Sequence, residues 1–139
     1  MAQELKIIRA DDVQSQDMSG GKEAGQVKRI LATEKFFFNI DDVNPGHSPH
    51  HWHRHVKYRT ATHEVDYPAD FEEVYFIISG HGVMQWKTDS GETREQKVGP
   101  GDTVFTPADV VEHQLLNSGS EIIRMAVVGV PPSTRTPLK

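Results

Sequence analysis

The sequence contains no cysteine, and this absence excludes several kinds of chemistry. A chain without cysteine forms no disulfide bond, offers no thiolate to a metal ion and has no cysteine nucleophile. Any metal ion that this chain binds must therefore be held by nitrogen and oxygen atoms.

Long apolar runs and clusters of basic residues are also lacking. The sequence has no apolar run long enough for a membrane-spanning helix, and its first residues, MAQELKIIRADD, lack the apolar core of a secretory signal. The formal net charge is −5, with no stripe of Lys or Arg, so neither a nucleic acid nor a membrane is expected as a partner. We expect a single cytoplasmic domain that spans residues 1–139.

Helical periodicity is absent as well, because glycine and proline interrupt the chain too often. Short β-type segments recur instead, with turn residues between them. Strands are predicted at residues 6–9, 27–33, 35–43, 50–58, 72–79, 83–88, 92–98, 103–106, 112–117 and 121–128, and a loop at 14–26. This pattern predicts an all-β antiparallel sandwich or barrel with its core at about 27–129, followed by a loosely held tail at 131–139.

The segment EEVYFIIS at residues 72–79 gives the strongest strand signal. Alternation places Glu73, Tyr75 and Ile77 on one face and the intervening apolar residues on the other. Both faces are largely apolar, as expected if one lines a barrel and the other packs on a second sheet or subunit. A carboxylate that faces a barrel interior needs a partner, and a metal ion with adjacent imidazoles would supply one.

Histidine is unusually abundant: the chain has eight, and four of them crowd into residues 50–55. Alternation along an extended strand would divide this segment into two faces, with His51, His53 and His55 on one and His50, Trp52 and Arg54 on the other. Two imidazoles at positions i and i+2 can converge on one ion. The alternative is a solvated patch of histidines, although a strand rarely gives one whole face to imidazoles that have no partner.

Three segments together resemble the two sequence motifs of the cupin superfamily. PGHSPHHWH and EEVYFIISGHG correspond to the first motif, in which a glycine follows the glutamate by seven residues, as Gly80 follows Glu73. GPGDTVFTPADVVEHQLLN corresponds to the second motif through Gly101, Asp102, Pro107, His113 and Asn117. The resemblance covers about residues 43–128.

The resemblance implies an antiparallel double-stranded β-helix, or jelly-roll barrel, that holds one divalent transition metal ion. Carried over residue by residue, the implied ligands are His51, His53, Glu73 and His113, and Pro49 favours this histidine pair over His53 with His55. His55 remains open as a fifth ligand, a proton carrier or a replacement for either. Iron(II), zinc(II), manganese(II), nickel(II) and cobalt(II) all suit such a donor set. We expect Asn117 to serve turn chemistry, as Gly101 and Asp102 do.

The chain departs from the family pattern between His53 and Glu73, where nineteen residues stand in place of three or four. One interpretation is an enlarged surface hairpin, and the other is a lid over the barrel mouth. His63 or Glu64 could then approach the metal ion in place of Glu73. We predict that His55, His63 or Tyr67 accepts the protons released during catalysis.

These features favour a metal-dependent enzyme that acts on a small substrate with enol, phenol or carbonyl oxygens. Dioxygenation and non-redox chemistry of the cyclase, lyase or isomerase type, including polyketide cyclisation, both remain open. The alternative is a non-catalytic cupin that binds a small molecule. The family resemblance also implies a homodimer.

Overall fold

The computed structural model describes residues 2–50, 52–54, 58–59, 63–65, 71–130 and 136–137. These residues form antiparallel strands and one 3₁₀ turn at Ala10–Asp12, with no α-helix in the described ranges. The strands are β1 (Ser15–Met18), β2 (Gly21–Ala32), β3 (Phe37–Val43), β4 (Tyr58–Arg59), β5 (His63–Val65), β6 (Glu72–Ser79), β7 (Gly82–Lys87), β8 (Thr93–Val98), β9 (Thr103–Thr106), β10 (His113–Leu116), β11 (Ile123–Val130) and β12 (Thr136–Pro137).

Two main sheets supply the core. The larger has the order β1-β2-β3-β11-β6-β9 and the smaller has the order β10-β7-β8. Buried residues of both sheets form one cluster, which includes Val43, Ile77 and Met125 from the larger sheet and Met84 and Leu115 from the smaller. This all-β antiparallel arrangement confirms the predicted fold class.

Strand β6 shows the predicted alternation. Glu73, Tyr75 and Ile77 are buried on the inner face, whereas Phe76 and Ile78 are exposed on the outer face. The second layer suggested for the outer face is not found among the described residues, so the apolar side chains there meet solvent in the single chain.

Two segments differ from the sequence-based prediction. Within residues 14–26 lie β1 and the start of β2, a hairpin in which Gly21, the first residue after the turn, has a φ of 104°. Strand β1 lies at the edge of the sheet, so it hydrogen-bonds to one neighbouring strand only. A strand in this position can have a polar sequence without an apolar face. Conversely, residues 6–9 form no strand. The predicted strand at 50–58 is also not continuous: its described part contains an isolated bridge at His53 and the start of the two-residue β4.

The insertion contributes β4 and β5, which pair with each other. Strand β12 in the C-terminal tail pairs with β5 to complete a third sheet of three strands. Among the described residues, no helix is long and apolar enough to cross a membrane.

Gly129 on β11 occupies a crowded position on the inner face, between Phe37 and Glu73 on the neighbouring strands. A Cβ atom there would clash with Cε1 of Phe37, whose ring stacks on that of Phe71 with centroids 6.0 Å apart. We therefore expect Gly129→Ala to lower the free energy of unfolding by about 1–3 kcal/mol, as overpacking of a core does. Urea denaturation measures this loss. The double variant Gly129→Ala/Phe37→Leu should lose less than the sum of the two single variants, and strict additivity would contradict the clash.

Candidate active site

His53 and His113 face each other at the centre of the candidate site. Each backbone N–H donates to the carbonyl oxygen of the other residue, at 3.1 and 3.0 Å, which fixes the two positions side by side. Their rings are tilted by 48° with centroids 4.5 Å apart. Only 7% of His53 and 2% of His113 remain exposed. The histidine of the second cupin-like motif, His113, thus lies directly beside His53 of the histidine cluster.

The hydrogen bonding of His113 defines its tautomer. Nδ1 lies 2.8 Å from the carbonyl oxygen of Val111, and a carbonyl oxygen only accepts, so Nδ1 carries the proton. In the neutral ring, the lone pair then lies on the buried Nε2 atom. A metal-binding histidine has this arrangement, because the second nitrogen donates to a carbonyl or carboxylate that orients the ring.

Burial lowers the pKa of His113 below its ordinary value of 6.5, against the smaller opposing effect of the bond to Val111. The unfolded chain therefore takes up a proton at this position below about pH 6.5, whereas the folded chain resists it. In metal-free protein, we expect the free energy of unfolding to decrease as the pH falls through this range. Urea titrations at several pH values should show a shallower decrease for His113→Gln, and equal slopes for both proteins would contradict the assignment.

His50 also belongs to this cluster, although strand alternation assigned it to the opposite face. Its ring centroid lies 5.0 Å from that of His53. Residues 49 and 50 lie in a bend, so the two-residue period of a strand does not apply to them. The Ser19 hydroxyl forms a hydrogen bond with Nδ1 of His50, which links the β1–β2 turn to the cluster. This bend has no distinct sequence signal, so the sequence did not predict that His50 belongs to the site.

Glu73 is buried on the inner face between Gly129 of β11 and Thr106 of β9. It lines a cavity of about 30 Å³ that is roomy enough for a single water molecule. The polar side chains that share this cavity are Ser19, Arg29, Asn39, Asp41, His50 and Tyr75. Glu73 thus shares a cavity with His50, one member of the histidine cluster.

His113 also lines a larger pocket of about 570 Å³. Apolar walls come from both main sheets and from the loop that precedes β10: Met84, Trp86, Val98, Val104, Phe105, Pro107, Val110 and Val111. Gln96, Thr103 and Thr106 add uncharged polar groups, and Asp102 and Asp109 carry the acidic ones. Thr106 lines the larger pocket, and its hydroxyl donates to the backbone carbonyl oxygen of Glu73 at 3.0 Å.

Of the predicted site residues, the structure places His53 and His113 side by side, and Glu73 lines the smaller cavity with His50. His51, His55 and Tyr67 lie outside the described residues, and His63 begins β5 in the third sheet. Within the described ranges, no group of three histidine or acidic side chains is close enough to hold a metal ion by itself. The paired imidazoles of His53 and His113 fit a metal site, and the full set of four ligands remains a prediction.

Other motif residues have structural roles. Asn117 is fully buried, and its Nδ2 donates to the carbonyl oxygens of Val43 and Glu121 at 2.9 and 2.8 Å. Its Oδ1 accepts from the N–H of Gly119 at 3.1 Å. Asp102 accepts from the N–H of Gly99 and so closes its turn. These contacts agree with the turn chemistry expected from the motif.

Neither a protein-family model nor a curated protein matches this sequence. Solved structures do match it. One is a predicted oxalate decarboxylase from Thermotoga maritima, 21% identical, covering 91% of this chain and 100% of its own, with a TM-score of 0.67. Another is the polyketide cyclase RemF from Streptomyces resistomycificus, which is 20% identical. The match covers 98% of this chain and 87% of that chain, with a TM-score of 0.65. A third is a cupin 2 conserved barrel domain protein from Salinispora arenicola, which is 16% identical. The match covers 93% of this chain and 89% of that chain, with a TM-score of 0.57.

Proposed function

We propose that this chain, which has the double-stranded β-helix fold of the cupin superfamily, is a metal-dependent enzyme acting on a small aromatic substrate with phenol or enol oxygens. The observation that carries the proposal is the pocket of about 570 Å³ that ends on the buried ring of His113. Pockets for small molecules have volumes of about 300–1,000 Å³ and apolar walls with a few polar groups, as this one does.

The charge of the pocket wall favours an uncharged substrate. Among the described residues that line the pocket, none is Lys or Arg, whereas two are aspartates. Arg54, which lies nearby, is already ion-paired with Asp109. On the described wall a compact dianion would meet no basic side chain, so only the proposed metal ion would offset the cost of burying its charge. A flat apolar ring with a few oxygens would bury its surface against Trp86 and the valines instead.

The polar groups are placed to orient such a substrate. Gln96 and Thr103 can form hydrogen bonds with substrate oxygens from the pocket wall. His113 lies where a substrate oxygen would approach its ring. A metal ion held by His53 and His113, with Glu73 and His51 as the remaining proposed ligands, would polarise that oxygen as a Lewis acid.

Of the activities named for the similar structures, this pocket favours polyketide cyclisation over oxalate decarboxylation. Oxalate is a small dianion, whereas a polyketide presents aromatic or enolic carbon skeletons that match apolar walls. Because dioxygenation uses similar substrates, the reaction type must be separated by experiment.

The two tryptophans of the chain provide a direct test of ligand binding. Trp86 lines the pocket, whereas Trp52 lies outside it and packs under Nζ of Lys87 at 5.2 Å. In Trp52→Phe protein, the fluorescence of Trp86 should be quenched in a saturable way by phenolic or enolic polyketides and flavonols, but not by oxalate or sugar phosphates. Trp86→Ala should weaken binding by about 10-fold or more, because it removes a large aromatic contact. Preferential binding of the dianions would contradict the proposal.

Turnover distinguishes an enzyme from a binding protein. Metal-loaded wild-type protein is incubated with each ligand that binds, while an oxygen electrode and mass spectrometry follow the reaction. Oxygen consumption would identify a dioxygenase, and a product without oxygen consumption would identify a cyclase, lyase or isomerase. Saturable binding with no product from any ligand would contradict the enzymatic proposal.

A further inference from the structure

The connection between β9 and β10, residues 107–112 and here called the wall segment, borders the larger pocket with Pro107, Asp109, Val110 and Val111. It has no regular secondary structure, and none of its residues is buried. Segments with few buried contacts belong to the least stable parts of a protein. The wall segment therefore depends on polar contacts from elsewhere in the chain to keep one conformation.

Arg54, the residue directly after His53, provides two such contacts. Its guanidinium group forms an ion pair with Asp109, and its Nε donates to the carbonyl oxygen of Val110 at 3.2 Å. In the part of the chain that the structure describes, the other side chain that hydrogen-bonds to residues 108–111 is His113. Because the donors of a guanidinium group have a fixed planar geometry, one arginine holds two successive residues in a defined orientation.

Asp109 has an unusual backbone conformation. Among the described residues it is the only one other than glycine with a positive φ, at 54°. Aspartate tolerates this left-handed conformation better than most residues, but the conformation remains less favourable than the right-handed one. Such conformations persist where the surrounding structure holds them in place. The ion pair with Arg54 is a contact of this kind, and it acts on the strained residue itself.

The wall segment also orients the ring of His113. The carbonyl oxygen of Val111 accepts a hydrogen bond from Nδ1 of His113 at 2.8 Å, and this bond leaves the lone pair on Nε2. Val111 directly follows Val110, whose own carbonyl group is held by Arg54. The direction of the Val111 carbonyl group therefore depends on the backbone that Arg54 fixes.

We propose that Arg54 is a positioning residue: it holds Asp109 and Val110 so that the carbonyl group of Val111 selects the tautomer of His113. The use of the Nε2 lone pair for a metal ion rests on the proposed function, whereas the tautomer is a property of the metal-free protein. The side chains of Arg54 and Asp109 are 46% and 77% exposed, and such exposed pairs contribute little to overall stability. The effect of breaking the pair should therefore be local.

The first measurement uses metal-free protein and correlates the ring protons and nitrogens of histidine by NMR. At about pH 8 neutral imidazole predominates, and the spectra distinguish its two tautomers. Comparison with His113→Gln assigns the signals of His113. The wild type should show the form with the proton on Nδ1. In Arg54→Gln, signals of the form with the proton on Nε2 should appear, because the carbonyl group of Val111 is no longer held in place.

Asp109→Asn tests the same contact from the wall segment. Asparagine also tolerates the left-handed conformation, so this variant removes the charge at an exposed position and carries the test if Arg54→Gln fails to fold. Its effect on His113 should be smaller than that of Arg54→Gln, because the second contact of Arg54 remains. The double variant should show no more change than Arg54→Gln alone, since both substitutions act through one contact.

Arg124→Gln is the matched control. It breaks another arginine–aspartate pair, which joins β11 to β3 in the larger sheet. The tautomer of His113 should be unchanged in this variant. Circular dichroism and urea denaturation should show that Arg54→Gln is folded and about as stable as the control.

The second measurement titrates each protein with cobalt(II) and follows its visible absorption, which reports both affinity and ligand geometry. Arg54→Gln should raise the dissociation constant about 10-fold, at the lower end of the range for outer-shell partners of metal ligands. Arg124→Gln should leave it unchanged. A single Nδ1-protonated tautomer in both Arg54→Gln and Asp109→Asn would overturn the proposal. A change of tautomer in these variants, together with no cobalt binding by the wild type, would support the role of Arg54 and contradict the proposed metal site.

Discussion

His113→Ala protein is expected to purify with almost no transition metal, under conditions in which the wild-type protein retains about one ion per chain. Its Nε2 lone pair is aimed into the buried site by the bond from Nδ1 to Val111, so the substitution removes a donor that is already oriented. Changes to outer-shell partners of metal ligands cost about 10–100-fold in affinity. Loss of the ligand itself should exceed that range. Elemental analysis after anaerobic purification of untagged protein measures the effect.

His81→Ala is the matched control, because His81 is an exposed histidine in the turn between β6 and β7. The control should retain metal as the wild type does. Equal metal content in the wild type and His113→Ala would remove His113 from the ligand set, provided that circular dichroism shows both proteins to be folded.

The second large effect is expected from Asn117→Ala. The side-chain amide of Asn117 binds three backbone groups on two segments, Val43 at the end of β3 and Gly119 and Glu121 in the connection from β10 to β11. Alanine would leave the buried carbonyl group of Val43 and two partly buried backbone groups, the carbonyl of Glu121 and the N–H of Gly119, without this partner, and the loss of a buried partner costs about 1–3 kcal/mol. We expect the free energy of unfolding to fall by about 3 kcal/mol or more, as measured by urea denaturation.

Asn44→Ala provides the comparison for Asn117. The amide of Asn44 donates to the carbonyl oxygen of Glu23 at 3.0 Å in a more exposed position, where water can replace it. Its loss should cost about 1 kcal/mol or less. Equal costs at the two positions would show that the buried amide of Asn117 does not hold the ends of β3 and β10 together.

The sequence predicted the parts of this fold whose pattern is set by burial. Alternation along β6 correctly placed Glu73 inward and Phe76 outward, because one face packs in the core. The second motif predicted that His113 lies near the histidine cluster, and His113 forms a bridge with His53; its role as a metal ligand stays a prediction. Both predictions depend on regular strand geometry, which holds in these segments.

Predictions failed where the backbone departs from that geometry or where no burial pattern exists. His50 joins the cluster because its backbone bends, so the two-residue period assigned it to the wrong face. Strand β1 is polar and lies at a sheet edge, so its sequence resembles a loop. The larger pocket assembles walls from β7, β8, β9 and β10, and such long-range convergence has no local sequence signal.

The central claim is that the two facing imidazoles hold a metal ion beside the apolar pocket. Anomalous diffraction from crystals of the metal-loaded protein locates that ion directly. The account predicts one ion at about 2.0–2.2 Å from a ring nitrogen of both His53 and His113. An ion bound elsewhere, or no ion between these two rings in protein that carries one metal per chain, would contradict it.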